Sequence, residues 1–359
     1  MLFRFFPTPI RMKLRILAAA AILAAGTSPC LHAQWWNPQD PTPPKARGTP
    51  MAPKITYTPH VRQMAYMAVN AAIWNDDWAK IDRMYEEFMA EGLRATDGSY
   101  FVEAVQSVFH DHFTMVVDAK ARDEMARWEA AVPASRLRPA IRVVMLESQA
   151  WNARGGGSTG VVPGEAAQIF RQKLVAATRA LEETEAVGKD SPIWWWAALI
   201  VAGSSGRSEA QFDAMFAEAT KRFPSYQPLY YTRVNYLLPQ WGGDWARVES
   251  FANRSTKAGS TTDGEAMYAW IYVDLSRKTP DLFADSQLSW PHMKKAFEDL
   301  VARYPDPNNR NLFATFACRA RDKETTAKLL AELGAQAKLG AYSEGYTTES
   351  CRRFALAPA

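Results

Sequence analysis

Four histidines follow residue 33: His60, His110, His112 and His292. His110 and His112 stand two apart on a predicted helix, about 200° around its axis, so they cannot grip one metal ion as an i, i+4 pair does. The sequence therefore points to no metal site and no bound cofactor. The Gly-x-Ser-x-Gly spacing occurs at Gly156 to Gly160, between two predicted helices and not at the strand-to-helix elbow that a serine nucleophile needs. The stretch Gly155 to Gly164 holds five glycines and one proline but lacks the Lys-Ser/Thr ending of a phosphate-binding loop. Its length suits a lid or a binding loop. Arg154, at its start, has two readings: an ion pair with a carboxylate inside the fold, or a contact to an anionic ligand. Trp241-Gly242-Gly243-Asp244 reads first as a turn that packs its Trp, with Asp244 capping the next helix, and second as a binding element. Cys318 and Cys351 lie 33 positions apart. In an oxidising compartment such a pair is expected to join rather than act as a nucleophile. The closed loop would be worth roughly 3.5–4 kcal/mol in the chain-entropy model.

The elements that must carry these residues begin with an address label. Arg4, Arg11, Lys13 and Arg15 precede an apolar run from Ile16 to Gly26, and Leu31-His32-Ala33 follows. This is the pattern of a secretory signal peptide, with cleavage expected after Ala33. A span needs about 20 apolar residues, so an N-terminal anchor is the alternative reading. Met12 is an alternative start. Thr27-Ser28-Pro29 before Cys30 lacks the small and aliphatic pattern of a lipid-anchored cysteine. The whole chain carries 42 basic and 38 acidic residues, a net charge of +4. All of that excess sits in the four basic residues of the leader; the remaining chain is neutral. A nucleic-acid partner needs a basic footprint, and none is present, so none is expected. No stable membrane span is expected once the leader is removed.

Residues 34–58 form a Pro-rich tether, with seven prolines between Gln34 and Pro59. Proline removes a backbone donor and disfavours helix in its predecessor. From Pro59 onward the apolar spacing is helical; Trp78, Ile81, Tyr85, Phe88 and Met89 are one example. Helices are expected at about 59–74, 77–91, 100–116, 121–131, 137–153, 164–187, 191–203, 208–222, 226–237, 244–257, 262–277, 290–303, 309–319 and 322–333. No alternating strand run is found. Connections are short, so neighbours should pack as antiparallel hairpins. Trp194-Trp195-Trp196 cannot share one helix face. That helix reads as buried all round, with one Trp reaching a ligand groove as the alternative. Phe216 to Leu229-Tyr230 and Phe297 to Leu312-Phe313 are similar to each other, each with an aromatic-Pro step (Phe223-Pro224, Tyr304-Pro305). The pattern resembles tetratricopeptide-type arrays, without their strict 34-residue period.

Three stretches together resemble the bacterial helical-repeat family known as domain of unknown function 4034. They are Ala150-Trp151-Asn152-Ala153-Arg154-Gly155-Gly156-Gly157 ahead of Phe170, the aromatic pattern from Phe212 to Tyr231, and Leu237-Leu238-Pro239-Gln240-Trp241-Gly242-Gly243. The likeness spans roughly residues 70–275. The turn after Gly243 is shorter than the family's, because Asp244-Trp245-Ala246 follows at once. The resemblance implies an all-helical fold and no activity. A second likeness is local. Glu147-Ser148-Gln149-Ala150-Trp151-Asn152 looks like the Glu-Ser helix end of lytic transglycosylases, which implies one Glu acting as acid and base on peptidoglycan. A buried Glu in an apolar shell can be tuned for that role. The downstream Gly-Leu-Met-Gln-type element is missing.

The sequence thus predicts an all-α array of antiparallel hairpins, a tetratricopeptide-like α-solenoid, behind a signal peptide (1–33) and the tether (34–58). Residues 59–275 form the helical-repeat domain, and 276–359 continue it with C-terminal hairpins. The expected function is binding of a protein or peptide partner in the cell envelope, with Trp151, Arg154 and Trp241 as candidate binding residues and no catalytic set. A glycan-cleaving enzyme centred on Glu147 is the alternative, and a purely structural envelope component is a third reading.

Overall fold

The chain packs helix against helix, with a buried set of helices flanked by more exposed ones. The computed structural model describes residues 59–90, 92–155, 164–258, 263–279, 281–339 and 345–357. The leader, the tether and the glycine-rich loop over 156–163 lie outside the described residues. All described residues belong to one compact unit, Thr49–Ala359. The first helices are α1 (Pro59–Trp74), α2 (Trp78–Ala90), α3 (Val102–Met115) and α4 (Asp118–Ala131). They are followed by α5 (Arg138–Arg154), α6 (Gly164–Gly188), α7 (Pro192–Ser204) and α8 (Glu209–Arg222). Next come α9 (Gln227–Asn235), α10 (Trp245–Ala258), α11 (Ala266–Ser276) and α12 (Leu282–Asp285). The last are α13 (Trp290–Arg303), α14 (Pro307–Arg319), α15 (Lys323–Leu333) and α16 (Thr348–Leu356). The protein is all-helical, and no strand occurs among the described residues.

Local sequence chemistry sets most helix starts. Proline occupies the first turn of α5, α7, α9, α13 and α14, where its missing N–H is not needed. Ser208 and Gln211 form a reciprocal capping box at α8. The carboxylates of Asp306 and Asp322 accept backbone N–H groups at the starts of α14 and α15. Two elements have no counterpart in the sequence reading: the single turn α12, and α16, which carries Cys351. The predicted helix over 226–237 ends early, at Asn235.

Burial separates the layers. Helices α3, α5, α7, α9 and α11 each pack on the next of this set, while α4, α6, α8 and α10 flank them. The inner α7 buries nine of its residues, and α11 buries every residue from Ala266 to Val273. The outer α6, with 25 residues, buries five. Helices with no polar face need neighbours on all sides, and the inner layer supplies them.

The loop at 92–101, between α2 and α3, joins early and late parts of the chain. Arg94 and Asp263 are both fully buried and form an ion pair at 2.6 Å. Tyr304 donates to the same Asp263 oxygen at 2.6 Å and also accepts from Arg94. Tyr100 takes the other guanidinium nitrogen at 2.5 Å. Asn309 donates to the Asp97 carbonyl and Gln227 to the Gly98 carbonyl. Gly98 sits at φ +92°, and a Cβ there would come within 2.6 Å of Trp270. Only glycine lets this loop lie against α11. The expected disulfide is present: Cys318 of α14 bonds Cys351 of α16, with Cα atoms 5.7 Å apart.

Candidate functional site

Where the inner helices converge they leave a cavity of about 610 Å³. Each helix offers it one face, at helical spacing. From α3 come Glu103, Gln106, Ser107 and His110; from α5, Glu147 and Trp151; from α7, Trp196 and Ile200. From α9 and the turn after it come Pro228, Tyr231, Thr232, Asn235, Tyr236, Gln240 and Trp241, from α11 comes Asp274, and from the turn after α11 comes Lys278. The wall therefore combines five Trp and Tyr rings with ten polar or charged side chains. Such a volume falls in the range of ordinary ligand sites.

Glu147 is the most unusual group in it. The residue is 0% exposed. Its Oε1 accepts from Ser148 Oγ at 3.1 Å and lies 3.2 Å from His110 Nδ1. Its Oε2 has no hydrogen-bond partner in the protein. Among the described residues, it is the one buried carboxylate oxygen left so. Nδ1 of His110 also lies 3.1 Å from Ser148 Oγ, and the His110 ring meets the Trp196 ring edge-on at 5.4 Å. Burial pulls the His110 pKa down, but the hydrogen bond to Glu147 and the charges of Glu147 and Asp111 outweigh it, so the value rises above the ordinary histidine range.

The other polar groups are mostly engaged. Glu103 accepts from the Tyr100 backbone N–H at the start of α3. Burial pushes its carboxyl up to about 7, against the opposing charge of Arg62. Gln106 accepts from Tyr226 at 2.7 Å. Lys278 bridges Asp274 at 2.7 Å and Asn235 at 2.8 Å. Burial, with Glu103 nearby, raises the Tyr231 hydroxyl well above its ordinary value.

The turn that holds Trp241 follows from its glycines. Pro239–Trp241 form one 3-10 turn, and Gly242 takes φ +85°. A Cβ on Gly243 would lie 1.9 Å from the Leu237 carbonyl oxygen, so the chain can double back only with glycine there. Asp244 then caps α10 by accepting from the Arg247 N–H at 2.8 Å. The result leaves Trp241 40% exposed, edge-on to Trp151 at 5.8 Å.

Of the residues singled out in the sequence, Glu147, Trp151 and Trp241 meet in this cavity. Arg154 is not among its lining residues. It is buried, with its guanidinium carbon 5.1, 5.9 and 6.0 Å from the ring centres of Trp151, Phe170 and Trp241. It braces the rings that form the wall. Trp194 and Trp195 are core residues, and Trp196 is the one that reaches the cavity. The two histidines diverge: His112 pairs with Glu124 at 2.7 Å, on the outer α4. No group of three or more metal-type side chains is found among the described residues. Glu103, Gln106, Tyr231, Tyr236 and Lys278 were not anticipated. For Glu103, Gln106 and Tyr231 the signal is one helix face at i, i+3 or i+4, and i+7: 103, 106, 107, 110 on α3 and 228, 231, 232, 235 on α9.

No described helix is long and apolar enough to cross a membrane. Comparison of the chain with models of known families, with curated proteins and with solved structures finds no match in any of the three.

Proposed function

We propose that this is an exported helical-repeat protein of the cell envelope that binds a segment of peptide, free or within a protein, in the cavity between its inner helices. The observation that carries this is the joint presence there of Trp151, Trp196 and Trp241, a row of side-chain amides and a half-satisfied buried carboxylate. Aromatic rings hold an extended chain by its apolar atoms, and the amides meet its backbone groups. Export rests on the leader at residues 1–33. Membership of the unknown-function family 4034 is part of the proposal and rests on the three motifs; two of them supply Trp151 and Trp241. A solenoid-like repeat is supported by the alternation of inner and outer helices. The test is enrichment from a random peptide library on the secreted chain. Binding that vanishes in Trp151→Ala and Trp241→Ala supports the reading. Enrichment unchanged in both variants, or none at all, refutes it.

One observation favours a second reading, glycan cleavage: Glu147 lines the cavity rather than the core alone. Release of muropeptides from peptidoglycan by the wild-type chain, lost in Glu147→Gln, would establish it, and no release by the wild type removes it.

A further inference from the structure

We infer that the peptide held in this cavity presents a cationic side chain, a primary ammonium or a guanidinium, to the carboxylate of Glu147. The inference rests on the reading of the cavity as a peptide site and names what the site selects. The first ground is Oε2 of Glu147, buried and without a partner while the residue lines the cavity. A buried carboxylate with half its acceptor capacity unmet is costly, and a charged donor meets both the missing hydrogen bond and the charge. A neutral hydroxyl or amide would supply the bond alone.

The second ground is the charge around the cavity. Its lining groups include three carboxyls, those of Glu103, Glu147 and Asp274. The lining cations are Lys278, which is committed to Asp274, and His110 in its protonated form. The His110 contact is made to Oε1, so it does not engage Oε2. Both lining cations are thus already paired and none is left to receive an anionic ligand, whereas the Glu147 carboxylate can meet a monocation. The third ground is the wall. Trp151 lies one helical turn from Glu147 on α5, and Trp196 touches His110, the partner of Glu147. Indole faces attract ammonium and guanidinium groups electrostatically, and more so away from water.

The experiment is calorimetric titration of the secreted chain with three end-capped tripeptides, Ala-Lys-Ala, the same peptide acetylated on Nε, and Ala-Glu-Ala, and with chitotetraose. The Lys peptide is expected to bind, and acetylation to weaken it at least tenfold, with the Glu peptide weaker still. This comparison needs no variant. Glu147→Gln is expected to abolish the preference for Lys over acetyl-Lys while the thermal melt stays cooperative. Equal binding of the Lys and acetyl-Lys peptides overturns the cationic preference and leaves the peptide reading standing. Chitotetraose binding with no tripeptide bound overturns both. A preference that survives in Glu147→Gln also overturns the inference, because the cation would then be held elsewhere.

Discussion

Replacing Asp263 by Ala is the sharpest available test of how the cavity is held together. Asp263 and Arg94 are both fully buried, and the carboxylate receives Arg94 at 2.6 and 3.3 Å and Tyr304 at 2.6 Å. Arg94 is kept charged: burial works against its proton, and the hydrogen bond to Asp263 more than offsets that, raising its pKa. Without Asp263 the guanidinium is left buried with only phenol oxygens around it. Removing one partner of a buried pair typically costs about 3–5 kcal/mol. For a chain of this length, about 2 °C per kcal/mol applies, so the melting temperature should fall by about 6–10 °C. The double variant Arg94→Met with Asp263→Leu should recover at least half of that loss, since an apolar pair carries no desolvation cost. Calorimetric melts of the four proteins of the cycle provide the numbers. Hydrogen exchange adds a structural readout, because the loop at 92–101 feeds the first turn of α3, which brings Glu103 and Gln106 to the cavity. Exchange there should quicken in the single variant. A shift under about 2 °C, or a double variant as unstable as the sum of the singles, would show that this pair does not hold the loop.

Reduction of the Cys318–Cys351 disulfide should lower stability by roughly 3.5–4 kcal/mol in the chain-entropy model, with the fastest hydrogen exchange gained in α16; identical melts with and without reductant would refute it. Asp322 is exposed to burial that raises its pKa, but the backbone and hydroxyl of Thr325, Lys294 and Trp290 hold it down at about 2. A depressed carboxylate contributes stability above its unfolded value of roughly 4, lost as pH falls toward 2. Asp322→Ala should therefore cost about 1–2 kcal/mol at pH 7 as a lost helix cap, with the deficit shrinking as pH drops from 4 to 2; denaturant midpoints across that range check it, and a pH-independent deficit counts against the account. Glu147→Met, which removes a buried half-satisfied carboxylate and keeps its volume, should leave the melting temperature equal or higher while abolishing peptide binding. A loss of more than about 2 kcal/mol in that variant would show that Glu147 serves the fold.

The helices were legible because their signals are local. Pro192 after Ser191, the Ser208/Gln211 box and the apolar spacing of α2 each mark an element without reference to the rest of the chain. Helix α16 has a physical reason to escape a local reading: its nine residues are too few to hold a helix on their own, whatever their preference. Their order comes from Thr347, which accepts the Ser350 N–H, and from the disulfide, a tertiary tie that only the fold supplies. The early end of α9 was readable in hindsight from Pro239 and the glycine pair, whose close approach to Leu237 forbids a side chain. The site was legible in part. Trp151, Trp241 and Glu147 stood out by type and motif. His110 patterns in the sequence only with His112, whereas its partner Glu147 lies 37 positions away on α5. Arg94 and Asp263 drew no notice at all, since a lone Arg and a lone Asp separated by 169 residues carry no pattern until the fold joins them.

Three buried carboxylates separate structure from function more clearly than any motif. Asp82 accepts from Trp128 and Ser135, each at 2.6 Å, one on each oxygen. Asp263 accepts on both oxygens from Arg94 and again from Tyr304. Each has recovered inside the protein what it lost from water, which is what a group retained for stability must do. Glu147 recovers it on Oε1 only, although it is the most deeply buried side chain of α5 to face the cavity and is flanked by residues that pack without it. An apolar residue of the same volume would fill that position at lower cost. Local rules broken at a position with no compensating gain within the chain point to a gain outside it. The gain that fits a half-satisfied carboxylate behind aromatic rings is a donor that arrives with the ligand.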